Sequence, residues 1–331
     1  KKFELVKSDF LVAMTGATSG KVAILNDNGR TYYLNQRVGK FYVKNENKLT
    51  KKFLYYSVLS PGNKHLLKKL ADGSAQGNMS STQIEDLLEL YLPNSIGKQN
   101  EIASILSTFD DKIEVNNKIS KTLEEMAQAI FKEWFIKNKD KLQTQKVKDM
   151  GRVVTGKTPS TKDLLNFGSD YPFVTIPDMT NTFVLNTERH LSQKSADRMG
   201  SLLLPVGSVC VSCIATVGLV SITTEESITN QQINSIIPNN KEYTYFLYQF
   251  FKRNKGLLEA FGAGGSTTLI INKSQFENLE IVVPNDSTMQ KFHQLVEPMY
   301  KKILTISKEN QKLATMRDLL LPKLMKGEIR V

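Results

Sequence analysis

The chain repeats part of its own sequence about 190 residues further on, and this internal repeat limits the possible folds more than any other feature. Near the end of the first copy stands QIEDLLELYLPN (Gln83 to Asn94), and near the end of the second stands QFENLEIVVPN (Gln275 to Asn285). A long helical pattern follows each of them. A repeat of this length predicts two modules, each a domain followed by a helix, rather than a solenoid of small units.

The repeat continues upstream. GATSGKVAIL (Gly16 to Leu25) is similar to IATVGLVSI (Ile214 to Ile222), and KKFLYYSVLS (Lys51 to Ser60) is similar to YTYFLYQFFK (Tyr243 to Lys252). The segment from Lys146 to Gly200 has no counterpart in the first copy. We therefore expect the given sequence to lack about 50 residues of its first module.

The chain of 331 residues is long enough for two hydrophobic cores, and it is basic. It has 44 Lys and Arg against 33 Asp and Glu, a formal net charge of +11. This balance favours a polyanionic partner, with nucleic acid first and an anionic membrane surface second, although a lysine-rich composition also serves solubility alone. No run of 18 apolar residues predicts a membrane-spanning helix, and Lys1 to Phe10 lacks the apolar centre of a signal peptide, so we expect a cytoplasmic location.

Two cysteines, Cys210 and Cys213, form a lone CVSC. With His65, His190 and His293 as the remaining soft ligands, the chain offers too few for a convincing four-coordinate zinc site. The surrounding residues predict a strand, and a three-residue offset then places the two side chains on opposite faces. We interpret both cysteines as small buried hydrophobic residues.

Each module begins with segments rich in β-branched and aromatic residues, which predict strands. A last strand is expected at LELYLP in the first module and at LEIVVP in the second, each ending at a proline. Short helices are expected over 51–60, 243–254 and 256–261. The long helices then follow, and their apolar residues recur mostly every three or four positions, close to a heptad. These apolar positions are Ile102, Ile105, Phe109, Ile113, Ile119, Leu123, Met126 and Ile130 in the first helix, and Phe292, Val296, Met299, Ile303, Ile306, Leu313, Met316 and Leu320 in the second.

About 40 helical residues span about 60 Å, which is too long for a helix that lies across one small domain. The sequence therefore predicts an α+β fold with two mixed β-rich domains, the first truncated at its N-terminus, separated by two long antiparallel helices that form a coiled coil. The expected boundaries are 1–95 and 141–286 for the β-rich domains, and 96–140 and 287–331 for the helices. The alternative is two ordinary amphipathic helices, each packed on its own domain.

GRVVTGKT (Gly151 to Thr158) fits the formal P-loop pattern. A nucleotide cradle needs an apolar strand before the first glycine and a helix after the threonine. Here KVKDM precedes the motif and Pro159 follows it, so neither flank fits. We favour a turn whose backbone N–H groups and lysine lie near a phosphate, in DNA or elsewhere. Motifs of adenine methyltransferases, serine hydrolases and zinc peptidases are absent from the sequence, so catalysis is weakly supported.

Several longer segments resemble those of one known family. They are GRVVTGKTPS (Gly151 to Ser160), VTIPDMT (Val174 to Thr180), GSVCVSCIATVG (Gly207 to Gly218), TNQQINSI (Thr229 to Ile236), GAGGSTTLIINKSQFENLEIVVP (Gly262 to Pro284) and LLLPKLMKGEIRV (Leu319 to Val331), with Ser80 to Asn117 in the first module. With two β-rich domains that are each followed by a long helix, the chain resembles the specificity subunit of type I restriction–modification enzymes. The resemblance covers essentially the whole chain.

The resemblance implies a non-catalytic DNA reader with two target recognition domains, each reading half of a split site in double-stranded DNA, with the helices setting the spacing. It implies two methyltransferase subunits, which would bring S-adenosylmethionine and modify adenine, and restriction subunits, which would bring ATP-driven translocation and Mg. No cofactor and no membrane are expected for this chain itself. Two alternatives stay open: the recognition region of a fused methyltransferase–nuclease, and a coiled-coil adaptor that binds protein.

Arg, Lys, Asn and Gln make base contacts, and Ser, Thr and backbone N–H groups hold phosphate. The candidate DNA-binding residues on polar loops are Lys157, Thr158, Ser160, Lys162, Asn181, Arg189, Gln231, Gly264, Gly265, Ser266 and Thr267 in the second module, and Lys21, Arg30, Arg37 and Gln76 in the first. Asn35, Gln36, Asn230 and Gln231 recur in both modules, which favours support of the fold or phosphate contact over distinct base readout. Phe131, Trp134 and Phe135 are candidates for a partner-docking surface, and Trp134 is equally compatible with the core.

Overall fold

A computed structural model describes residues 3–16, 18–25, 29–73, 78–93, 95–137, 142–263 and 269–329. The internal contacts of the chain divide it into two compact units. Unit 1 comprises Lys1–Val115 and Glu309–Val331, and unit 2 comprises Asn116–Lys308. Both units combine helices with short strands, so the predicted α+β class is confirmed.

Unit 1 begins with short strands and continues with helices. Its strands are β1 (Glu4–Leu5), β2 (Phe10–Ala13), β3 (Val22–Ile24), β4 (Tyr32–Tyr33) and β5 (Val38–Lys40). Its helices are α1 (Lys51–Leu59), α2 (Pro61–Asp72), α3 (Ser81–Leu87) and the first part of α4 (Ile96–Lys132), which continues into unit 2 and ends in a π-helical turn, Glu133–Lys137.

Unit 2 contains longer strands and larger sheets. In chain order its elements are β6 (Gln143–Lys146), α5 (Val147–Met150), β7 (Gly151–Thr155), β8 (Phe167–Val174), β9 (Phe183–Val184), β10 (Arg189–Leu191), α6 (Gln193–Arg198), β11 (Val209–Ser212), β12 (Val220–Thr223), β13 (Ile228–Thr229), β14 (Ile233–Pro238), α7 (Tyr243–Arg253), α8 (Lys255–Gly262), α9 (Lys273–Glu277), β15 (Glu280–Val283) and α10 (Asp286–Met325). The last of these continues into unit 1.

The internal repeat is visible in the sheets. In unit 2 the central sheet has the strand order β7-β14-β11-β12-β9, and in unit 1 a smaller sheet has the order β3-β2-β5. In unit 2, β11 pairs antiparallel with β12 on one side and with β14 on the other. In unit 1, β2 pairs antiparallel with β3 on one side and with β5 on the other. The three strands of unit 1 thus correspond to β12, β11 and β14.

The helices repeat as well, down to their N-terminal caps. At the start of α3 the Ser80 hydroxyl accepts a hydrogen bond from the Gln83 N–H, while the Gln83 side chain accepts one from the Ser80 N–H. Asn272 and Gln275 form the same capping box at the start of α9. This reciprocal pair satisfies two backbone donors that a helix end leaves free, so the motif starts a helix in both copies.

The predicted last strand is confirmed in one copy and wrong in the other. In unit 2, β15 pairs antiparallel with β6 along four residues. In unit 1, residues 88–93 form no strand. A β-strand needs a hydrogen-bonding neighbour, and among the described residues none lies beside this segment.

Within each unit, segments of α4 and α10 pack against each other in antiparallel directions, as predicted. In unit 1, Ile102 and Leu106 of α4 share a core with Leu321 and Leu324 of α10. In unit 2 it is the C-terminal end of α4 and the N-terminal part of α10 that share a core with the central sheet; this core includes Ala127, Phe131, Phe246, Phe292, Val296 and Ile236. Some of the apolar positions predicted to repeat along the two long helices are not buried. Ile119, Met126 and Met316 are 40%, 47% and 51% exposed.

The two cysteines lie on opposite faces of the central sheet, as expected from their spacing. Cys210 packs in one core cluster with Val154 and Ile233, and Cys213 packs in another with Val211. Both are almost fully buried, and burial raises the pKa of each thiol to about 11. Across the ranges that the structure covers, no three His, Cys, Asp or Glu side chains cluster as metal ligands would. None of the helices in these ranges has the length and apolar character that a bilayer crossing requires.

Candidate nucleic-acid interface

One edge of the central sheet of unit 2 gathers several of the candidate DNA-binding residues. At this edge β7 and β11 end, and β12 and β14 begin, because Val211 pairs with Val220, Ser212 with Ile233, and Thr155 with Asn234. We call it the strand-end edge of unit 2. The loops that leave it carry Lys157 and Thr158 after β7 and Gln231 before β14. The sheet therefore presents these polar side chains together.

The loop after β7 is fixed to this edge by its backbone. Gly156 donates its N–H to the Ile233 carbonyl (3.2 Å), and Lys157 donates its N–H to the Thr229 carbonyl (2.9 Å). The Thr158 hydroxyl lies 2.5 Å from the Gln231 side-chain oxygen, to which it donates a hydrogen bond. A Cβ at position 156 would lie 2.2 Å from the Thr229 oxygen, so only glycine fits. Lys157 and Gln231 themselves are exposed.

The asparagines that recur in both modules support turns. The Asn230 side-chain oxygen accepts a hydrogen bond from the Gln232 N–H (3.0 Å), and the Asn35 oxygen accepts one from the Arg37 N–H (2.9 Å). An asparagine that bonds to the backbone two residues on is typical of a tight turn. Each turn leads into an equivalent strand, β14 or β5. These contacts favour the interpretation of both asparagines as residues that support the fold.

Ser160 and Lys162 lie further along the same loop, which is also tied to the fold. The Ser160 carbonyl accepts a hydrogen bond from the buried Asn166 side chain (3.0 Å). Asp163 caps a short 3-10 turn, Leu164–Asn166, and its carboxylate lies 3.9 Å from the Arg198 guanidinium. Sequence reasoning missed the two leucines of this turn, Leu164 and Leu165, which are 80% and 66% exposed. These exposed apolar side chains lie beside the polar DNA-contact candidates Ser160 and Lys162 in the chain.

Arg189 and Asn181 lie elsewhere in unit 2. Arg189 is the exposed first residue of β10, and its guanidinium lies 5.9 Å from the centre of the Phe167 ring. Asn181 lines a cleft of about 620 Å³ together with Glu124 of α4 and Tyr248 of α7. In this cleft the Glu124 carboxylate accepts hydrogen bonds from the hydroxyls of Tyr248 (2.6 Å) and Thr182 (3.5 Å) and from the Lys252 ammonium. Burial, followed by the charge of Glu124, holds the pKa of Tyr248 well above its ordinary value.

Unit 1 has an equivalent strand-end edge, at which β2 ends and β3 and β5 begin. Ala13 donates its N–H to the Lys21 carbonyl and Met14 donates to the Arg37 carbonyl, both at 2.8 Å. Ser212 and Cys213 donate in the same way to Leu219 and Gln232 in unit 2, at 2.9 and 2.8 Å. Lys21 and Arg37 are exposed at this edge. We call it the strand-end edge of unit 1.

The remaining candidates are spread more widely. Arg30 is exposed and precedes β4, so it does not belong to either strand-end edge. Gln76, Gly264, Gly265, Ser266 and Thr267 lie outside the described residues. The chain rejoins the strand-end edge of unit 2 directly after them, because the Leu269 carbonyl accepts a hydrogen bond from the Ala215 N–H (3.0 Å).

The aromatic residues that were candidates for partner docking lie in or against the core. Phe131 and Phe135 are 2% and 3% exposed, and each packs on the rings of Phe246 and Phe292. Trp134 is partly buried against the same cluster. The side chains of Phe131 and Phe135 pack into the core of unit 2 rather than facing solvent. The expectation that these two residues form a docking surface is therefore corrected to a role in the core.

Comparisons with known proteins agree on one family. The family model described as the type I restriction modification DNA specificity domain matches residues 1–125 and 139–315. Among curated proteins, the chain is 31% identical to the type I restriction enzyme HindI specificity subunit of Haemophilus influenzae, over 99% of this chain and 88% of that protein. It is 27% identical to the MjaIX specificity subunit of Methanocaldococcus jannaschii, over 84% of this chain and 69% of that protein.

A solved structure shows the same fold. It is the crystal structure of a type I restriction-modification system S subunit from M. genitalium, which is 16% identical to this chain. The match covers 97% of this chain and 84% of that one, with a TM-score of 0.58.

Proposed function

Because this chain belongs to the family of type I restriction modification DNA specificity domains, we propose that it is the DNA sequence-recognition subunit of a type I restriction–modification complex. Each unit reads one half of a bipartite site in double-stranded DNA. The chain itself supplies recognition, and the chemistry belongs to other subunits. The fold-level match supports this role but does not carry it, since function resides in the site.

The observation that carries the proposal is the repetition of one strand-end edge in two units of a single chain. In unit 2 the edge presents Lys157, Thr158 and Gln231, and in unit 1 it presents Lys21 and Arg37. Lysine, threonine and backbone groups hold phosphates, whereas arginine and glutamine make paired hydrogen bonds to base edges. Two such edges with different side chains suit a target made of two different half-sites.

The partners follow from the same family. We propose that the chain assembles with DNA and with the other subunits of a type I system. The finer proposal has two methyltransferase subunits, which bring S-adenosylmethionine and modify adenine, and restriction subunits, which bring ATP and Mg. The exposed apolar side chains of α4 and α10, such as Met126, Leu295 and Leu319, offer contact area for such partners.

Selection from a pool of random DNA duplexes tests the recognition role. The purified chain, with its partner subunits where they are available, should enrich a motif of two specified blocks separated by an unspecified spacer. Affinity for that motif should fall by about a thousandfold between 50 and 200 mM salt if about six phosphates are contacted. A pool without any enriched motif, or an affinity that does not change with salt, would contradict the proposal.

Variants at the two edges refine this test. Lys21→Glu with Arg37→Glu should relax or weaken one block of the motif, and Lys157→Glu with Gln231→Ala should affect the other. Loss of both blocks from either double variant would show that the two edges do not read separate half-sites.

A further inference from the structure

Unit 1 carries an open apolar groove on the β5 side of its sheet. The groove has a volume of about 540 Å³, and strands β2 and β5, helices α1 and α3, and residues 88–90 contribute to it. Its apolar walls include Met14, Phe41, Leu54, Ile84, Leu88 and Leu90. Most of these side chains also pack on the core of unit 1, so the groove exposes one side of that core.

The equivalent place in unit 2 is covered by residues 143–155 of the chain. There β7 pairs along five residues with β14, and β6 pairs along four residues with β15. The helical turn α5 joins them, and Val147 and Met150 of this turn are 0% and 1% exposed. The segment thus completes two strand edges and inserts two apolar side chains into the core between them.

The counterparts of these contacted residues are less buried in unit 1. Leu90 occupies the position of Ile281, and Leu92 the position of Val283, in the repeated LEL and LEI segments. Ile281 is fully buried and Val283 is 3% exposed, whereas Leu90 is half-buried in the groove. Leu92 is 49% exposed and lines a separate cleft with Pro93 and Leu324. The exposure of large apolar side chains on one side of a core indicates a surface that suits an apolar partner.

The backbone at the groove also lacks partner strands, although the Glu89 N–H and carbonyl are hydrogen-bonded to the Asn63 side chain (3.3 and 2.8 Å). Strand β5, the counterpart of β14, lies at the outer edge of its sheet, and no described strand pairs with that edge. Residues 88–93, the counterpart of β15, have no strand partner among the described residues either. An extended peptide recognises such edges through main-chain hydrogen bonds, while pockets between them accept its side chains.

We propose that this groove binds a peptide segment with the chemistry of residues 143–155: one strand for each open edge, joined by a helical turn that inserts two apolar side chains. The occupant is defined by the way in which unit 2 fills the same position. A small apolar molecule would fill the volume but leave both backbone edges unpaired. The inference does not depend on DNA recognition.

A synthetic peptide of residues 142–156, labelled with fluorescein, tests the proposal when it is titrated into the whole chain. Saturable binding is expected, and a peptide with Val147→Asp and Met150→Asp should bind about a hundredfold more weakly, because both buried apolar contacts are lost. On the chain, Leu90→Arg should weaken binding by about tenfold or more. Leu257→Arg, at another exposed leucine on unit 2, should leave it unchanged.

Amide hydrogen exchange locates the peptide. Exchange at residues 39–43 and at 88–92 should slow about tenfold or more when the peptide is saturating, since both edges gain hydrogen bonds. Three outcomes would overturn the proposal. The first is absence of binding, and the second is binding without protection at either edge. The third is self-association of the chain that Leu90→Arg abolishes but the peptide does not affect, because the occupant would then be a second copy of the chain.

Discussion

Lys157 projects an exposed ammonium group from a backbone that is hydrogen-bonded to Thr229 at the strand-end edge of unit 2. The change Lys157→Glu should weaken DNA binding about tenfold, because it removes the proposed phosphate contact and adds a repelling charge. Fluorescence anisotropy at fixed salt measures the affinity. Thermal unfolding should be unchanged, since the side chain is exposed.

The matched control for this variant is Lys302→Glu, which makes the same charge change at an exposed position of α10 in unit 2. It should change the affinity much less. An equal loss from both variants would show that Lys157 acts only through net charge, and it would remove this lysine from the contact residues.

Asp110 organises a polar contact inside unit 1. Its carboxylate accepts hydrogen bonds from the Tyr56 hydroxyl (2.7 Å) and from the Arg317 guanidinium. Asp110→Ala removes the acceptor of the Tyr56 hydroxyl and of one Arg317 amino group in a half-buried place, while Arg317 keeps its hydrogen bonds to Asp318. The free energy of unfolding should therefore fall by about 1–2 kcal/mol. Asp111→Ala changes an exposed neighbour and should cost about 0.5 kcal/mol or less. Urea unfolding of both variants checks the difference, and equal effects would contradict a structural role for Asp110.

At the scale of elements, Gly156 determines how the loop after β7 joins the strand-end edge of unit 2. Gly156→Ala should lower the free energy of unfolding by about 2 kcal/mol or more, since the new methyl group would collide with the backbone of Thr229 and Asn230. DNA affinity should fall as well, because Lys157 and Thr158 would shift. Gly200→Ala is the control, since no atom lies within 4 Å of a Cβ built there. A Gly156→Ala variant as stable as the control would contradict the observed packing.

Local patterns in the sequence predicted those elements that depend on local interactions. The capping residues Ser80 and Asn272 start helices in both copies, and the spacing of Cys210 and Cys213 placed their side chains on opposite faces of the central sheet. The long helices follow from their apolar spacing. Each of these features requires only neighbours along the chain, so a single sequence contains the necessary information.

The features that sequence reasoning missed depend on distant partners. Residues 88–93 have the composition of a strand, but a strand forms only where another strand lies beside it. Phe131 and Phe135 follow Ala127 on one side of α4, and their burial depends on Phe246 and Phe292, which lie far along the chain. The candidate DNA-binding residues likewise lie in separate places that the sequence does not indicate, because Asn181 contributes to the cleft beside α4 while Thr158 and Gln231 meet at the sheet edge.

Across the whole molecule, buried tyrosines make stability sensitive to alkaline pH. Burial, followed by the charge of Glu297, raises the pKa of Tyr245 to about 12, and burial is also the largest cause that raises the pKa values of Tyr56, Tyr248 and Tyr300. A phenol whose pKa in the folded state exceeds its unfolded value of about 10 binds its proton more tightly in the folded chain. Its full contribution to stability is therefore present below pH 10 and decreases as the pH rises above 10.

We expect the free energy of unfolding to fall between pH 10 and pH 11.5, with each such tyrosine contributing up to about 1.4 kcal/mol per pH unit. Denaturant titrations across this range measure the slope. Tyr300→Phe should reduce the slope, whereas Tyr33→Phe, at a tyrosine that is 60% exposed, should not. A slope that is unaffected by Tyr300→Phe would show that other groups govern alkaline unfolding.

The duplicated three-stranded arrangement also bears on evolution. Its backbone hydrogen bonds are the same in both copies, while the side chains on the loops differ, as with Lys21 against Leu219 and Arg37 against Gln232. A substitution in one loop leaves the other copy with its original chemistry. If each set of loops reads one half-site, as proposed, one gene can acquire a new specificity in two separate steps, and each intermediate keeps one ancestral half-site preference.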